Sequence, residues 1–323
     1  MTAATRDISL DVIRDAARFV YRAAIRTPLI RVDVPGSPPG LELYLKLEVL
    51  QPIGSFKIRG AVNVVRQLSP AELADGVWTV SAGNAALGVA YAARQAGVPC
   101  AVMVMDTAPA AKVDAIARLG ATIVRVTYDE AWQTVERHGS DTMRGYFIHP
   151  FDDDRFIAGN ATLALEILDD LPDVDAIVGS VGGGGLLSGV VAATRALRPA
   201  TDVYAAEPES AAPLAASLTA GRPMYFQGWR ASFVDGAGGK SVLETMWPLL
   251  RDVNGSIVVT LDDVARAIRA VAEHAHVIAE GAAGCAVAAA LSGRAGGGKV
   301  AAIVSGGNID LARFLEIVTS PHR

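Results

Sequence analysis

Cysteine is nearly absent from this chain of 323 residues: there are two, Cys100 and Cys285, both in apolar surroundings. Two such thiols make no disulfide framework and read as buried free cysteines in a reducing cytosol. Aromatic residues are only 6% of the chain. No long basic run interrupts the net charge of −5, which argues against nucleic acid as a partner. No stretch approaches the roughly 20 apolar residues that a membrane helix requires. The opening segment, MTAATRDISLDVIRDAARFV, carries early acids and no uninterrupted apolar core, so it does not read as a signal peptide. A cytoplasmic protein with no membrane partner is expected. Gly-x-Ser-x-Gly and Cys-x-x-Cys are missing as well.

What is present points to a globular α/β protein. Hydrophobic residues make up 51% and charged residues 20%, and the length suffices for two lobes with separate cores. Strand patterns at Leu41–Leu47, Val77–Val80, Cys100–Met105, Thr122–Val126, Ala176–Val178, Val203–Ala206, Ile257–Thr260 and Val300–Val304 alternate with longer helical ones. The helical patterns include Ala85–Ala96, Ala110–Leu119, Arg155–Leu168 and Leu261–Ala279. Such alternation predicts βαβ units and mostly parallel sheets flanked by helices. A small inserted domain is expected over 74–146, with 1–73 plus 147–323 forming the larger one. Ligands of open α/β sheets bind at the carboxyl ends of strands, where this chain places its glycine-rich turns.

Four segments carry the chemistry. Lys57 lies in Gly54-Ser55-Phe56-Lys57-Ile58-Arg59-Gly60-Ala61. Gly182-Gly183-Gly184-Gly185-Leu186 follows the buried strand pattern from Ala176 to Val181 and opens a helix. Four glycines let a backbone wrap a phosphate and aim its N–H groups inward, and the helix N-terminus adds positive potential. No Gly-Lys-Ser/Thr follows, so the loop is not a P-loop, and the third glycine of a dinucleotide fingerprint is missing. Ser81-Ala82-Gly83-Asn84 and Ser305-Gly306-Gly307-Asn308 each end a strand pattern with polar, hydrogen-bonding groups. Asn84 can cap the helix after it and also direct its amide at a ligand. An amine nucleophile, a phosphate cradle and two polar loops are what pyridoxal phosphate needs, since its aldehyde is held by a lysine as a Schiff base. Lys57, Ser81 and Asn84 are the candidate catalytic side chains. His274 and His276 fall two apart in a helical pattern and diverge, which disfavours a shared metal. His138 and His149 show no catalytic partner, and the run Asp152-Asp153-Asp154 reads as a solvated loop.

Together these segments resemble the fold-type II pyridoxal-phosphate enzymes, the tryptophan synthase β-like group that includes serine/threonine dehydratases and serine racemase. The resemblance runs from Thr27-Pro28-Leu29 through Leu45-Lys46-Leu47-Glu48-x-x-Gln51, Pro150-Phe151-Asp152-Asp153 and Ile157–Thr162 to Ser305–Asn308. It implies that Lys57 carries the cofactor and shuttles the α-proton, and that Phe56 packs on the ring. It also implies that Asn84 bonds the 3′-oxygen, Gly182 to Leu186 bind the phosphate, and Ser305 bonds the pyridine nitrogen. A neutral serine there leaves the nitrogen unprotonated and favours prompt loss of a β-leaving group. A homodimer is expected from the resemblance. The chain ends soon after the last motif, so the regulatory domain of biosynthetic threonine dehydratases is not expected.

Three departures narrow the activity. Ala82 stands where the racemase has a serine that acts as base on the second face, which argues against racemisation. Ala85 and Leu87 replace a histidine and a glutamine, which points to a bulkier or more apolar β-substituent, such as an aryl-serine. Pro213 replaces an aspartate that joins Glu207 and the Ala211 carbonyl at a divalent cation in some relatives, so no metal is assigned. The leading expectation is an ammonia-lyase acting on a β-hydroxy amino acid, giving a 2-oxo acid and ammonia. β-Replacement, or a cofactor-binding protein without turnover, are the alternatives.

Overall fold

The computed structural model describes residues 6–320. The strands are β1 (Leu29–Val32), β2 (Leu41–Leu47), β3 (Val77–Val80), β4 (Cys100–Met105), β5 (Thr122–Val126), β6 (Tyr146–Phe147), β7 (Ala176–Ser180), β8 (Asp202–Pro208), β9 (Gly255–Val259) and β10 (Gly298–Val304). They form a six-stranded sheet in the order β1-β2-β10-β7-β8-β9 and a four-stranded sheet in the order β5-β4-β3-β6. Only the β1–β2 pair is antiparallel. The α/β reading holds. The two strands without a sequence signal, β1 and β6, are short edge strands whose pattern is too brief to read.

The large sheet is covered on both faces, which is why its central strands are nearly all apolar. Along β10 the side chains alternate: Ala301 and Ile303 join one core, and Val300, Ala302 and Val304 join the other. Helices Leu10–Val20, Asp154–Asp170 and Gly185–Leu197 build the first core, and helices Leu261–His274 and Gly281–Leu291 the second. The small sheet packs helix Asn84–Ala96 on one face and helix Tyr128–Arg137 on the other. Helix Lys57–Val65 lies between the lobes: its Ala61, Val64 and Val65 enter the small-lobe core, and its Ile58 the large one.

One helix is shorter than its pattern. The run expected to reach Ala279 stops at His274, and His276 takes a left-handed φ of 57°. His276 is therefore not helical. A new helix starts at Gly281, which frees Glu280 to enter the site described below.

Behind helix Lys57–Val65 lies a fully buried charge cluster. The Arg59 guanidinium donates to both oxygens of Glu48 (2.8 Å each) and to both of Glu166 (2.6 and 3.1 Å). Lys46 pairs with Glu166 at 2.5 Å and donates to the Thr27 carbonyl at 2.6 Å. Thr27 and Gln51 donate to Glu48, and Tyr21 donates to Glu166. Two cations face two anions, so the cluster is neutral and its lone pairs are used. Helix Asp154–Asp170 can come this close because Gly159 has no Cβ, which would meet the Arg59 carbonyl and lie 2.8 Å from the Gly60 Cα. Replacing Arg59 with methionine leaves two buried carboxylates against Lys46 alone. The expected loss is about 3–5 kcal/mol, read from urea unfolding followed by tryptophan fluorescence.

Candidate active site

Three of the four motif loops leave the carboxyl ends of strands directly. Ser305 follows β10, the glycine loop follows β7, and Ser81 follows β3. Lys57 is brought alongside Ser305 by a backbone seam. Phe56 N–H donates to the Ser305 carbonyl (3.0 Å), Gly307 N–H donates to the Gly54 carbonyl (2.9 Å), and Ser55 bridges to Gly306. Gly54 has a φ of 72°, and a Cβ there would lie 2.8 Å from the Asn308 side-chain oxygen. Ser305 is buried, and the Ser55 hydroxyl is buried with no hydrogen-bond partner among the described residues.

The Lys57 amine is recessed in the cleft and donates to the Pro150 carbonyl at 2.6 Å. It lies 5.3 Å from the centre of the Phe56 ring and 5.2 Å from that of Phe156. Desolvation lowers its pKa to about 8, against a smaller opposing pull from Glu280. Phe56 itself belongs to the large-lobe core.

Gly182 to Gly185 make a cradle in which side chains have no room. A Cβ on Gly182 would lie 2.5 Å from the Gly236 carbonyl oxygen, and one on Gly183 would run into the Phe151 ring. On Gly184, which has a φ of 95°, it would meet Leu250 at 2.6 Å, and on Gly185 the Phe151 carbonyl at 2.6 Å. Gly184 caps helix Gly185–Leu197, whose first-turn N–H groups have no intrahelical acceptor. The loop thus presents backbone donors and the positive end of a helix to an anion.

Asn84 opens helix Asn84–Ala96 and is held from the other lobe. Its Nδ2 donates to Glu280 Oε1 (2.7 Å), and its Oδ1 accepts from Asn308 Nδ2 (2.7 Å). Among the described residues its second Nδ2 hydrogen has no acceptor. The Ser81 hydroxyl accepts from Gly83 N–H at 3.1 Å, tightening the turn. Ala82 has no polar side chain, Ala85 is buried, and Leu87 packs against the cores of both lobes.

Sequence reasoning missed Glu280. It is buried, and burial together with the charge of Asp235 raises its pKa to about 7. Gly306 must lack a side chain because a Cβ would lie 2.6 Å from Glu280 Oε1. The available signal was an acid directly before Gly281-Ala282-Ala283-Gly284, but the helical pattern read as far as Ala279 hid the break after His274. At the cleft mouth Lys112 of the small lobe pairs with Asp235 of the large one at 2.5 Å. Lys240 there lies 4.4 Å from the ring centres of both Tyr128 and Trp229.

The acidic run is not a solvated loop. Asp152 is buried, and Asp153 caps helix Asp154–Asp170 through the N–H groups of Arg155 and Phe156. At Glu207, Oε1 accepts from Leu214 N–H (2.8 Å), and Oε2 accepts from Ala215 N–H (2.7 Å) and the Ser256 hydroxyl (2.5 Å). Burial raises its pKa to about 7. With both oxygens already accepting hydrogen bonds and Pro213 offering none, these residues make a poor donor set for a hard divalent cation, which wants several oxygens.

A recessed amine, an anion cradle and a two-lobed, mostly parallel α/β scaffold define a class of enzymes that hold a phosphorylated aldehyde. The family model described as pyridoxal-phosphate dependent enzyme matches residues 20–306, and the chain belongs to that family. Its relatives share the fold-type II architecture. An L-threonine ammonia-lyase of Thermotoga maritima is 39% identical over 96% of this chain and 78% of its own length. The serine racemase of Homo sapiens is 36% identical over 92% of this chain and 90% of its own. The solved structure of maize serine racemase superposes with a TM-score of 0.87 at 32% identity, covering 97% of this chain and 96% of that one. Among the described residues no helix is long and apolar enough to cross a membrane.

Two outcomes follow from the geometry. Gly183→Ala pushes a methyl into the Phe151 ring and should weaken pyridoxal phosphate binding by about one to two orders of magnitude, measured by equilibrium dialysis. Only the neutral amine can capture an aldehyde, and Lys57 is neutral above about pH 8. The rate at which the cofactor-free protein captures pyridoxal phosphate, followed by absorbance, should therefore rise through about pH 8 and not near the ordinary lysine value of 10.5.

Proposed function

We propose that this protein is an ammonia-lyase that removes water from a β-hydroxy amino acid of the threonine or serine type. Loss of the α-proton and the β-hydroxyl, followed by hydrolysis, gives a 2-oxo acid and ammonium. The observation that carries this reading is the Lys57 amine, recessed against the Pro150 carbonyl, in a chain whose Ala82 has no hydroxyl to serve as a second proton carrier.

Pyridoxal phosphate, when bound, supplies an electron sink for the charge left on the substrate α-carbon. Lys57 would hold its aldehyde, the N–H groups from Gly182 to Leu186 its phosphate, Asn84 its 3′-oxygen and Ser305 its ring nitrogen. The cradle, the unpartnered Ser55 hydroxyl and the second hydrogen on Asn84 Nδ2 fit such a group. Lys57 would be the group to take the α-proton, from one face, and its lowered pKa suits a base near neutral pH. Glu280 and Asn308 orient the Asn84 amide. Ala85 and Leu87 add no polar group, so the β-substituent is read by shape, and an aryl-serine belongs in the substrate panel beside serine and threonine.

The test is 2-oxo acid release from L-serine, L-threonine and phenylserine, with chiral chromatography of the remaining amino acid. Elimination is expected, with racemisation slower by about a hundredfold or more, the usual worth of a missing acid–base group. Ala82→Ser should raise the racemisation share. Racemisation at the rate of elimination in the unaltered protein would overturn the reading. Products formed only with an added thiol would move it to β-replacement.

A further inference from the structure

Three potential metal ligands, His138, His149 and Asp152, meet beside the site, but their atoms are already committed. The carboxylate of Asp152 pairs with Arg6 and accepts from Thr245 (2.5 Å), and His138 Nε2 lies 3.1 Å away. His149 is more informative. Its Nδ1 accepts from the backbone N–H of Asp152 (2.7 Å) and, more loosely, of Phe151 (3.3 Å). Backbone N–H groups only donate, so Nδ1 carries no proton and Nε2 carries it toward the Val135 carbonyl at 3.2 Å. Both ring nitrogens are used, and the ring is buried between His138, Phe147 and Phe151.

The four residues from His149 to Asp152 are therefore a turn wrapped on a neutral imidazole. That turn makes two contacts with the site. The Pro150 carbonyl accepts from the Lys57 amine, and the Phe151 ring and carbonyl lie under Gly183 and Gly185 of the phosphate cradle. We propose that His149 is a positioning residue: its Nδ1 folds the turn that aims a carbonyl at the cofactor lysine and supports the cradle from below. The proposal rests on Lys57 and the cradle holding pyridoxal phosphate. Burial and the neighbouring His138 keep the ring neutral, and Lys57 acts in the same sense, while Asp152 opposes them.

Asparagine and glutamine separate the two ends of the ring. Asparagine Oδ1 can take the place of Nδ1 as acceptor, glutamine reaches toward Val135 instead, and phenylalanine keeps the ring without either nitrogen. In the full chain, pyridoxal phosphate affinity is measured by dialysis, the bound cofactor by its visible absorbance, and folding by thermal melting. His149→Phe and His149→Gln should weaken cofactor binding about tenfold or more, the scale of a lost hydrogen bond beside a charged group. His149→Asn should stay within about threefold of the parent, whatever its melting temperature. If asparagine binds as weakly as phenylalanine, or if all three unfold together, the ring holds the lobe and not the turn. Unchanged affinity in every variant would also overturn the proposal. A parent protein with no visible cofactor absorbance would instead sink the assignment of Lys57, a separate failure.

Discussion

Arg59 stands two residues after Lys57 on one helix, so the two side chains point roughly 200° apart at about 100° per residue. Lys57 faces the cleft, and Arg59 faces a dry interior where it is shared between Glu48 and Glu166. Buried ion clusters add little net stability compared with apolar packing, but breaking one strands a charge. A rotation of this helix would strand two carboxylates and a guanidinium at once. The place of the reactive amine is therefore held less by anything touching it than by the cost of misplacing its neighbour. Lys46, Thr27, Gln51 and Tyr21 belong to the same constraint, since each uses up a lone pair or proton that would otherwise be unsatisfied.

The cleft is built across the lobes. Asn84 comes from the small lobe, and Glu280 and Asn308, which hold its amide, come from the large one. Gly54–Phe56 and Ser305–Gly307 are joined by main-chain hydrogen bonds, which carry no side-chain freedom to lose. At the mouth the cross-lobe contacts are of another kind, an ion pair between half-exposed side chains and an ammonium between two rings. Such contacts are worth little each, so the floor of the site is rigid while its rim can open at small cost.

Much of this was legible in the chain because backbone chemistry leaves local marks. Four consecutive glycines after an apolar strand state that a backbone must be approached closely, and the packing against Phe151, Leu250 and Gly236 shows the same need. Lys57 between Phe56 and Ile58 was legible once those loops were counted with it. Asp152, Glu280 and His149 were not. A run of acids looks like a solvated loop, a glutamate just past a periodic stretch looks like an ordinary helix end, and a lone histidine has no pattern at all. Their meaning depends on what lies across the fold: Arg6 and Thr245 for Asp152, Asn84 for Glu280, and the turn's own N–H groups for His149.

By itself the sequence determined the alternation of strands and helices, the amine, the glycine cradle and the absence of a hydroxyl at Ala82. These are properties of short segments, set by periodicity, by glycine and by side-chain type. Only the tertiary structure decided that Glu280, just ahead of its helix, meets Asn84, that Glu207 turns both oxygens to a helix N-terminus and a hydroxyl, and that His149 Nδ1 accepts from the turn beneath Lys57. Those are pairings between groups far apart along the chain. Their energies come from burial and desolvation, which no local segment possesses before the lobes close around it.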